Sequence, residues 1–494
     1  MRFKKILIAN RGEIALRVIR ACREMGIAPV AVFSDADRES LHVRHAEEAY
    51  YIGPSRPEES YLDIRKIVDI AKKEGIPAIH PGYGFLAENA DFAAECEAAG
   101  INFIGPPANV LRHAGNKIMA RKVLIKSGIS IIPGGGDAIR GEKDLIDKAG
   151  EIGYPLMLKA SRGGGGKGIK VIKSKDELAS AFILAVDESR LSFGLSEIYM
   201  ERYIAGARHI EFQIMADAYG GIVHLGEREC SIQRRFQKLI EESPSTALTP
   251  GLREEMGSVA IKIAGIFNYK NAGTVEFLLA RDGSFYYQEL NARVQVEHPV
   301  TEMITGIDIV KEQIRIAAGE PLGIRQEQIR FNGSSIECRV YAEDPYNNFL
   351  PGDGRIYISQ LPGGAGVRIE SSLFNGMEVS TYYDPLLAKL ITWGPDRETA
   401  IKRMSMALRE FKLSGVKTTI PLFELIFRDR DFINNKVDTG YIERFLRERR
   451  GPVPEIEKIA AIGAIIVDQE KTDIGKRGGR GKTLSPWVLT GRKG

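Results

Sequence analysis

The chain has 494 residues, a formal net charge of +4, 44% hydrophobic residues and 27% charged ones. That length exceeds what one hydrophobic core normally fills, so two or more packed subdomains are expected, and the balanced charge argues against a continuous basic footprint for nucleic acid. The longest apolar run, Ile459 to Val467, is too short to cross a bilayer, and the four cysteines (Cys22, Cys96, Cys230, Cys338) have neither zinc-site nor disulfide-framework spacing, which suits a reducing cytoplasm.

Lys5 to Ala9 predicts a short strand, Asn10-Arg11-Gly12-Glu13 a turn, and the following residues an amphipathic helix with Ile14, Val18 and Cys22 at helical spacing. Pro29 to Phe33, Ile76 to Ile79 and Ile101 to Ile104 read as further buried strands alternating with helices, as a parallel α/β sheet requires. Residues 1–115 are therefore expected to be Rossmann-like. GxGxxG is missing, so the fold is expected without a dinucleotide.

A second unit, residues 116–330, contains a glycine loop. Leu156 to Arg162 leads as a strand into Gly163, Gly164, Gly165 and Gly166, and Lys167-Gly168 opens the next strand, Ile169 to Ile172. Backbone amides without Cβ atoms can converge on phosphate oxygens. A P-loop would need GxxxxGK[ST] opening a helix, so a hinged hairpin flap is expected instead, a ligand-free surface hairpin being the alternative. Gly481-Lys482-Thr483 imitates the end of a P-loop, but Lys476 stands where its first glycine belongs.

Gly273 to Ala280 and Phe285 to Asn291 are β-rich runs joined by Arg281-Asp282-Gly283-Ser284. A turn centred on Asp282-Gly283 sets Glu276 opposite Glu289, with Cβ atoms about 5 Å apart. Two like charges there are tolerable if one protonates or if divalent cations lie between them, and such oxygen ligands suit Mg²⁺ carrying nucleotide phosphates. Strand alternation turns Asn291 to the same face and is expected to continue through Arg293, Gln295 and Glu297, with Leu290, Ala292, Val294 and Val296 on the other. A solvated polar edge is the competing reading. A third unit, residues 331–446, opens with the alternating run Ser335 to Tyr341 and closes with helices around Glu398 to Lys412 and Ile420 to Arg428, an α+β pattern. Residues 447–494 form a linker and a basic, glycine-rich tail.

These residues closely resemble the biotin carboxylase branch of the ATP-grasp family. The match runs through IANRGE (Ile8 to Glu13), HPGYGFLAEN (His80 to Asn89), RHIEFQ (Arg208 to Gln213), ERECSIQRRFQ (Glu227 to Gln237), GTVEFL (Gly273 to Leu278), ELNARVQVEHPVT (Glu289 to Thr301), IECRVYAEDP (Ile336 to Pro345) and YDPLLAKLI (Tyr383 to Ile391). It covers roughly residues 1–446. The resemblance implies a Rossmann-like N-terminal domain, an ATP-grasp central domain with its lid at about 132–204, and a biotin carboxylase C-terminal domain. It also implies ATP-dependent carboxylation of carrier-bound biotin with bicarbonate, through carboxyphosphate, as the first half-reaction of a biotin-dependent carboxylase.

Carried over position by position, the resemblance makes Lys117, Lys159, Gly165, Gly166, Glu201, Arg202, Tyr203, Ile204, His209, Gln233, Glu276, Leu278 and Glu289 the nucleotide contacts. Glu276, Glu289 and Asn291 would hold two Mg²⁺ or Mn²⁺ ions. Lys238, Arg293, Gln295 and Val296 match the bicarbonate-binding positions, Glu297 the base, and Arg339 the group facing the biotin ureido oxygen; Tyr83 lines the biotin pocket. Phe236 departs from the family's QRRHQK, Asn116 from MGDK and Ala87 from GFLSEN. No Met-Lys-Met occurs, so the biotin carrier and the carboxyltransferase are expected on other chains, and family analogy implies a homodimer. Another ATP-grasp ligase and a non-catalytic nucleotide-binding scaffold are the alternatives; Arg339 and Glu297 argue against the first, the metal triad and Glu297 against the second.

Overall fold

The structure is a computed structural model and describes residues 3–134, 136–161, 168–193 and 197–449. The apolar run Lys5–Ile8 lies at the centre of a five-stranded parallel sheet, ordered Glu48–Gly53, Ala28–Ser34, Lys5–Ile8, Ala78–His80, Asn102–Phe103. Glu48–Gly53 carried no clear strand signal because it is the sheet's edge, with exposed positions where a central strand would be apolar. The strand order reverses beside Lys5–Ile8, and in such sheets the crevice beyond the carboxyl ends of the reversing strands is where ligands bind. Asn10 pins that crevice, its Nδ2 donating to the carbonyls of Pro81 and Tyr83, each at 2.7 Å.

A second sheet has eight antiparallel strands, ordered Phe285–Asn291, Asn271–Leu279, Arg208–Ala216, Ile222–Arg234, Gln237–Ser243, Ser334–Tyr341, Leu386–Gly394, Val367–Ser371. Strands before and after residue 330 thus share one ladder, joined where Gln237–Ser243 pairs with Ser334–Tyr341. Ser334–Tyr341 was expected to alternate in burial; it is buried along its whole length, because an interior strand with both faces covered has no solvent side. One face of the sheet is apolar: Ile210, Phe212, Ile214, Val275 and Phe277 pack against Met256, Ala260, Ile263 and Ala264 of helix Pro250–Ile266. Phe212 and Phe277 meet edge to face at 6.1 Å and are fully buried, each contributing roughly 1.5–3 kcal/mol. The opposite face carries His209, Glu211, Gln213 and Glu276, and it is buried as well, so its polar groups must satisfy one another.

A third, three-stranded antiparallel sheet combines Leu156–Ala160, Lys170–Ile172 and Ile198–Arg202. The glycine run, including Gly165 and Gly166, lies outside the described residues, as does the tail from residue 450. The closing helices are Arg397–Glu410, started by Asp396 accepting from the Thr399 amide at 2.7 Å, and Ile420–Ile426. Residues up to 442 form one compact unit; of the second, residues 443–449 are described.

Candidate active site

Four neighbouring strands place one charged row across the buried polar face: Arg228 opposite Glu211, Glu211 opposite Glu276, and Glu276 opposite Glu289. The Glu276–Glu289 pairing is the expected one, but the turn alone does not produce it. Ala280 bonds to the Ser284 carbonyl at 2.8 Å and Phe277 faces Tyr287, so a turn-derived register would miss Glu289 by one residue. A bulge at Gln288 restores the pairing and turns Glu289 back to the row.

Lys238, from the Gln237–Ser243 strand, neutralises the row. Its ammonium donates to Glu211 Oε2 at 2.5 Å, Glu276 Oε1 at 2.9 Å and Glu297 Oε1 at 2.7 Å, which uses every donor a lysine has. Arg228 Nε donates to the other Glu211 oxygen at 2.5 Å, and His209 Nε2 lies 3.1 Å from Glu276 Oε2. Burial on its own would push the Glu297 and Glu276 carboxyls up. The groups around them outweigh it: Lys238, Arg339 and Arg228 hold Glu297, and Lys238 with the His209 ring holds Glu276, well below the usual carboxylate range. Lys238 shows the converse, since burial lowers it but three carboxylates keep it well above an ordinary lysine.

The strand ends at Asn291, so the expected alternation through Glu297 does not continue as strand; residues 292–297 form an irregular turn capped by helix His298–Thr305. The chemistry converges nonetheless because side-chain bonds shape that turn. Glu88 accepts from the Ala292 amide and from Arg293 Nε, both at 3.0 Å. Arg293 in turn donates to Gln295 Oε1 at 2.7 Å and Asn291 Oδ1 at 3.3 Å. Glu276 Oε1 also receives Asn291 Nδ2 at 2.8 Å and Gln295 Nε2 at 3.3 Å. Arg339 donates to Glu297 Oε2 at 3.0 Å. Val296 offers its carbonyl to Lys389 Nζ at 2.9 Å, and Lys389 also pairs with Glu13, 3.1 Å away. Tyr83, from the parallel-sheet crevice, donates its hydroxyl to the same Glu13.

Lys117 starts a helix whose Asn116 cap accepts from the Met119 amide at 3.0 Å, and its ammonium pairs with Glu289 Oε2 at 2.6 Å. Lys159 and Glu201, diagonal neighbours on adjacent strands of the three-stranded sheet, form an ion pair, with Arg121 Nη1 3.2 Å from Glu201. Arg202 and Tyr203 hold the strand's end to the chain before it, their amides bonding to the carbonyls of Pro133 and Pro155, and Ile204 follows half-buried. Leu278 is in register with His209, and Gln233 with Lys238. Phe236 sits at the tip of the hairpin between them with φ +66° and is 37% exposed.

Sequence reasoning missed Glu211, Arg228 and Glu88. The alternation within Arg208 to Gln213 puts Glu211 on the face of His209 and Gln213, a signal sufficient to find it; Arg228 and Glu88 needed the register and the turn. The donor set of Glu276, Glu289 and Asn291, two carboxylates and an amide on one face, is an oxygen-rich set of the kind hard divalent cations take. No helix among the described residues is long and apolar enough to cross a membrane.

Three family models match the chain: the N-terminal domain of biotin carboxylase over residues 2–111, the ATP-binding domain of the carbamoyl-phosphate synthase L chain over 116–325, and the biotin carboxylase C-terminal domain over 337–444. A biotin carboxylase of Nostoc is 51% identical over 90% of this chain and 99% of the relative. Biotin carboxylase 1 of Bacillus subtilis is 48% identical over 90% of this chain and 98% of the relative. Among solved structures, the biotin carboxylase domain dimer of the Hydrogenobacter thermophilus 2-oxoglutarate carboxylase, in complex with MgADP, ADP and bicarbonate, is 50% identical with a TM-score of 0.88, covering 90% of this chain and 98% of that one.

Proposed function

The chain belongs to the biotin carboxylase family, and from that premise we propose how its own residues carry the reaction. That reaction is the ATP-dependent carboxylation of biotin with bicarbonate, the first half-reaction of a biotin-dependent carboxylase. The observation that supports the residue assignment best is the convergence of Lys238, Glu297 and Arg339 in one buried cluster beside Glu276.

Lys238, Arg293, Gln295 and Val296 bind bicarbonate, and Glu297 is its base. At rest Glu297 is ionised and a weak base, because Lys238 and Arg339 hold its proton affinity down. An arriving bicarbonate takes donors from Lys238 and adds a negative charge beside Glu297, and both changes raise that affinity. Glu297 then removes the bicarbonate proton, a contribution worth about 10²–10⁴-fold. The carbonate oxygen attacks the γ-phosphorus of ATP, ADP leaves, and carboxyphosphate forms. Its breakdown yields CO₂ and phosphate, the phosphate takes the N1 proton of biotin, and the N1 so freed attacks the CO₂ carbon to form carboxybiotin. Arg339 offers its planar fork of donors to the charge on the ureido oxygen, and Tyr83 lines the biotin pocket.

Glu276, Glu289 and Asn291 would hold two Mg²⁺ or Mn²⁺ ions; bound there, the metals would neutralise phosphate charge. Lys117, Lys159, Gly165, Gly166, Glu201, Arg202, Tyr203, Ile204, His209, Gln233 and Leu278 contact the nucleotide. Residues 1–115, 116–330 and 331–446 act as N-terminal, ATP-grasp and C-terminal domains. The biotin carrier and the carboxyltransferase are other chains, two copies of this chain pair, and the enzyme works in the cytoplasm, a reading that its four buried, unpaired cysteines support. ADP release by the purified chain with Mg²⁺, bicarbonate and free biotin, each omitted in turn, tests the assignment. Release that rises with biotin and vanishes without bicarbonate is expected; ATP bound but never consumed would refute it.

A further inference from the structure

Arg339 is held from two sides. Its Nη2 donates to Glu297 Oε2 at 3.0 Å, and its Nε donates at 2.5 Å to Glu241 Oε1. Glu241 is fully buried on the strand that also carries Lys238, and no part of the mechanism above uses it. Directly opposite Glu241 in the ladder stands Glu337, also fully buried. Cross-strand neighbours have Cβ atoms about 5 Å apart, so these two carboxyls share one face.

The pair is short of positive charge. Both Glu337 oxygens and Glu241 Oε2 are buried without a hydrogen-bond partner among the described residues. The next cation, Lys389, stands opposite Arg339, but its ammonium is committed to the Val296 carbonyl and Glu13. Arg228 is committed to Glu211, Gln213, Thr274 and Thr301. Arg339 therefore hydrogen-bonds one of two adjacent carboxyls, and Glu337 feels Lys389 without a hydrogen bond from it. Two buried carboxylates so close, with one hydrogen-bonded cation between them, do not both ionise. Because Arg339 sits on Glu241, the proton belongs to Glu337. Burial acts on both carboxyls, raising Glu241 to about 7 against the pull of Arg339 and Glu337 well above the ordinary range against that of Lys389, so both resist ionising and the charge of the pair rests on the hydrogen bond from Arg339 to Glu241.

We propose that Glu241 is a positioning residue for Arg339, and that Glu337 across the ladder stays protonated, so that the pair carries one negative charge. That single charge at Nε balances Glu297 at Nη2 of the same guanidinium. Without it Arg339 has one carboxylate left to follow and collapses onto Glu297, away from biotin. With a second charge, on Glu337, Arg339 is drawn down from Glu297. The inference rests on the reading that Arg339 faces the biotin ureido group.

The test compares two rates in each variant, biotin-stimulated ADP release and the bicarbonate-dependent ATP hydrolysis seen without biotin. Glu241→Gln keeps the shape and removes the charge. Its biotin-stimulated rate is expected to fall by about 10²-fold, the size of effect a displaced reacting group produces, and by clearly more than the biotin-free rate, which Arg339 closing on Glu297 also lowers, while the affinity for ATP stays near wild type. Glu241→Asp recovers part of the loss. Glu337→Gln, isosteric with a protonated carboxyl, keeps both rates. A Glu241→Gln enzyme that retains its biotin-stimulated rate, or loses both rates equally, overturns the proposal, as does a Glu337→Gln enzyme that loses biotin stimulation. Arg339→Ala separates the two readings: if it keeps biotin stimulation, the assignment of Arg339 itself falls, whereas its loss beside an unaffected Glu241→Gln removes the positioning role alone.

Discussion

Lys238 binds three carboxylates at once, and that saturation fixes how the resting site is charged. A bicarbonate can be bound by Lys238 only by displacing one of them, so the ground state resists an idle proton transfer. Glu297→Gln removes the base and leaves the nucleotide contacts in place; bicarbonate-dependent ATP hydrolysis should vanish while ATP still binds, and unchanged hydrolysis would strip Glu297 of that role. The same residue has a signature in stability. Its folded carboxyl lies below its unfolded value, so between the two values the unfolded chain binds more protons and stability rises with pH. The contribution is complete above the unfolded value, about pH 4.3, and disappears as pH falls through the depressed folded one. Glu241 acts in the opposite sense: with a folded value of about 7, it costs stability as pH rises towards 7. Urea unfolding at pH 6 and pH 4 should therefore show a shallower acid loss for Glu297→Gln than for wild type; equal losses would mean that Lys238 does not hold Glu297 ionised.

At the scale of elements, the hairpin Asn271–Leu279 and Phe285–Asn291 shows why a turn signal is an incomplete guide to register. The sequence announces the turn through Asp282-Gly283, yet the pairing that matters depends on a bulge at Gln288 that no local pattern marks. Glu289→Gln keeps the bulge and removes one carboxylate from the row, so Mn²⁺ affinity measured by electron paramagnetic resonance should drop; unchanged affinity would remove Glu289 from the metal set. Helix Ile309–Ala317 offers a test of stability alone. Its cap Asp308 accepts from the Lys311 amide at 2.9 Å and from Arg17 at 2.6 Å. Asp308→Ala should cost about 1–2 kcal/mol in denaturant unfolding and leave ATP affinity unchanged.

Across the whole molecule, the buried Glu13–Lys389–Val296 chain ties the parallel sheet to the eight-stranded one. Lys389→Met strands Glu13 in the interior, and breaking a buried pair this way costs about 3–5 kcal/mol; calorimetry should show the loss, and a midpoint within error of wild type would mean that Glu13 is neutral. What the sequence determined by itself was periodic or local. The parallel sheet and the flap strands were legible in apolar spacing, the turn at Asp282-Gly283 in its residues, and the family in motif order. Tertiary structure alone decided which charges meet: Lys238 on Glu211, Glu88 on Arg293, Glu241 on Arg339. These pairs join residues 27, 205 and 98 positions apart. The reason is physical, because a buried charge is specified by what neutralises it in space, and in this protein that partner comes from another strand or turn, beyond the reach of any local pattern.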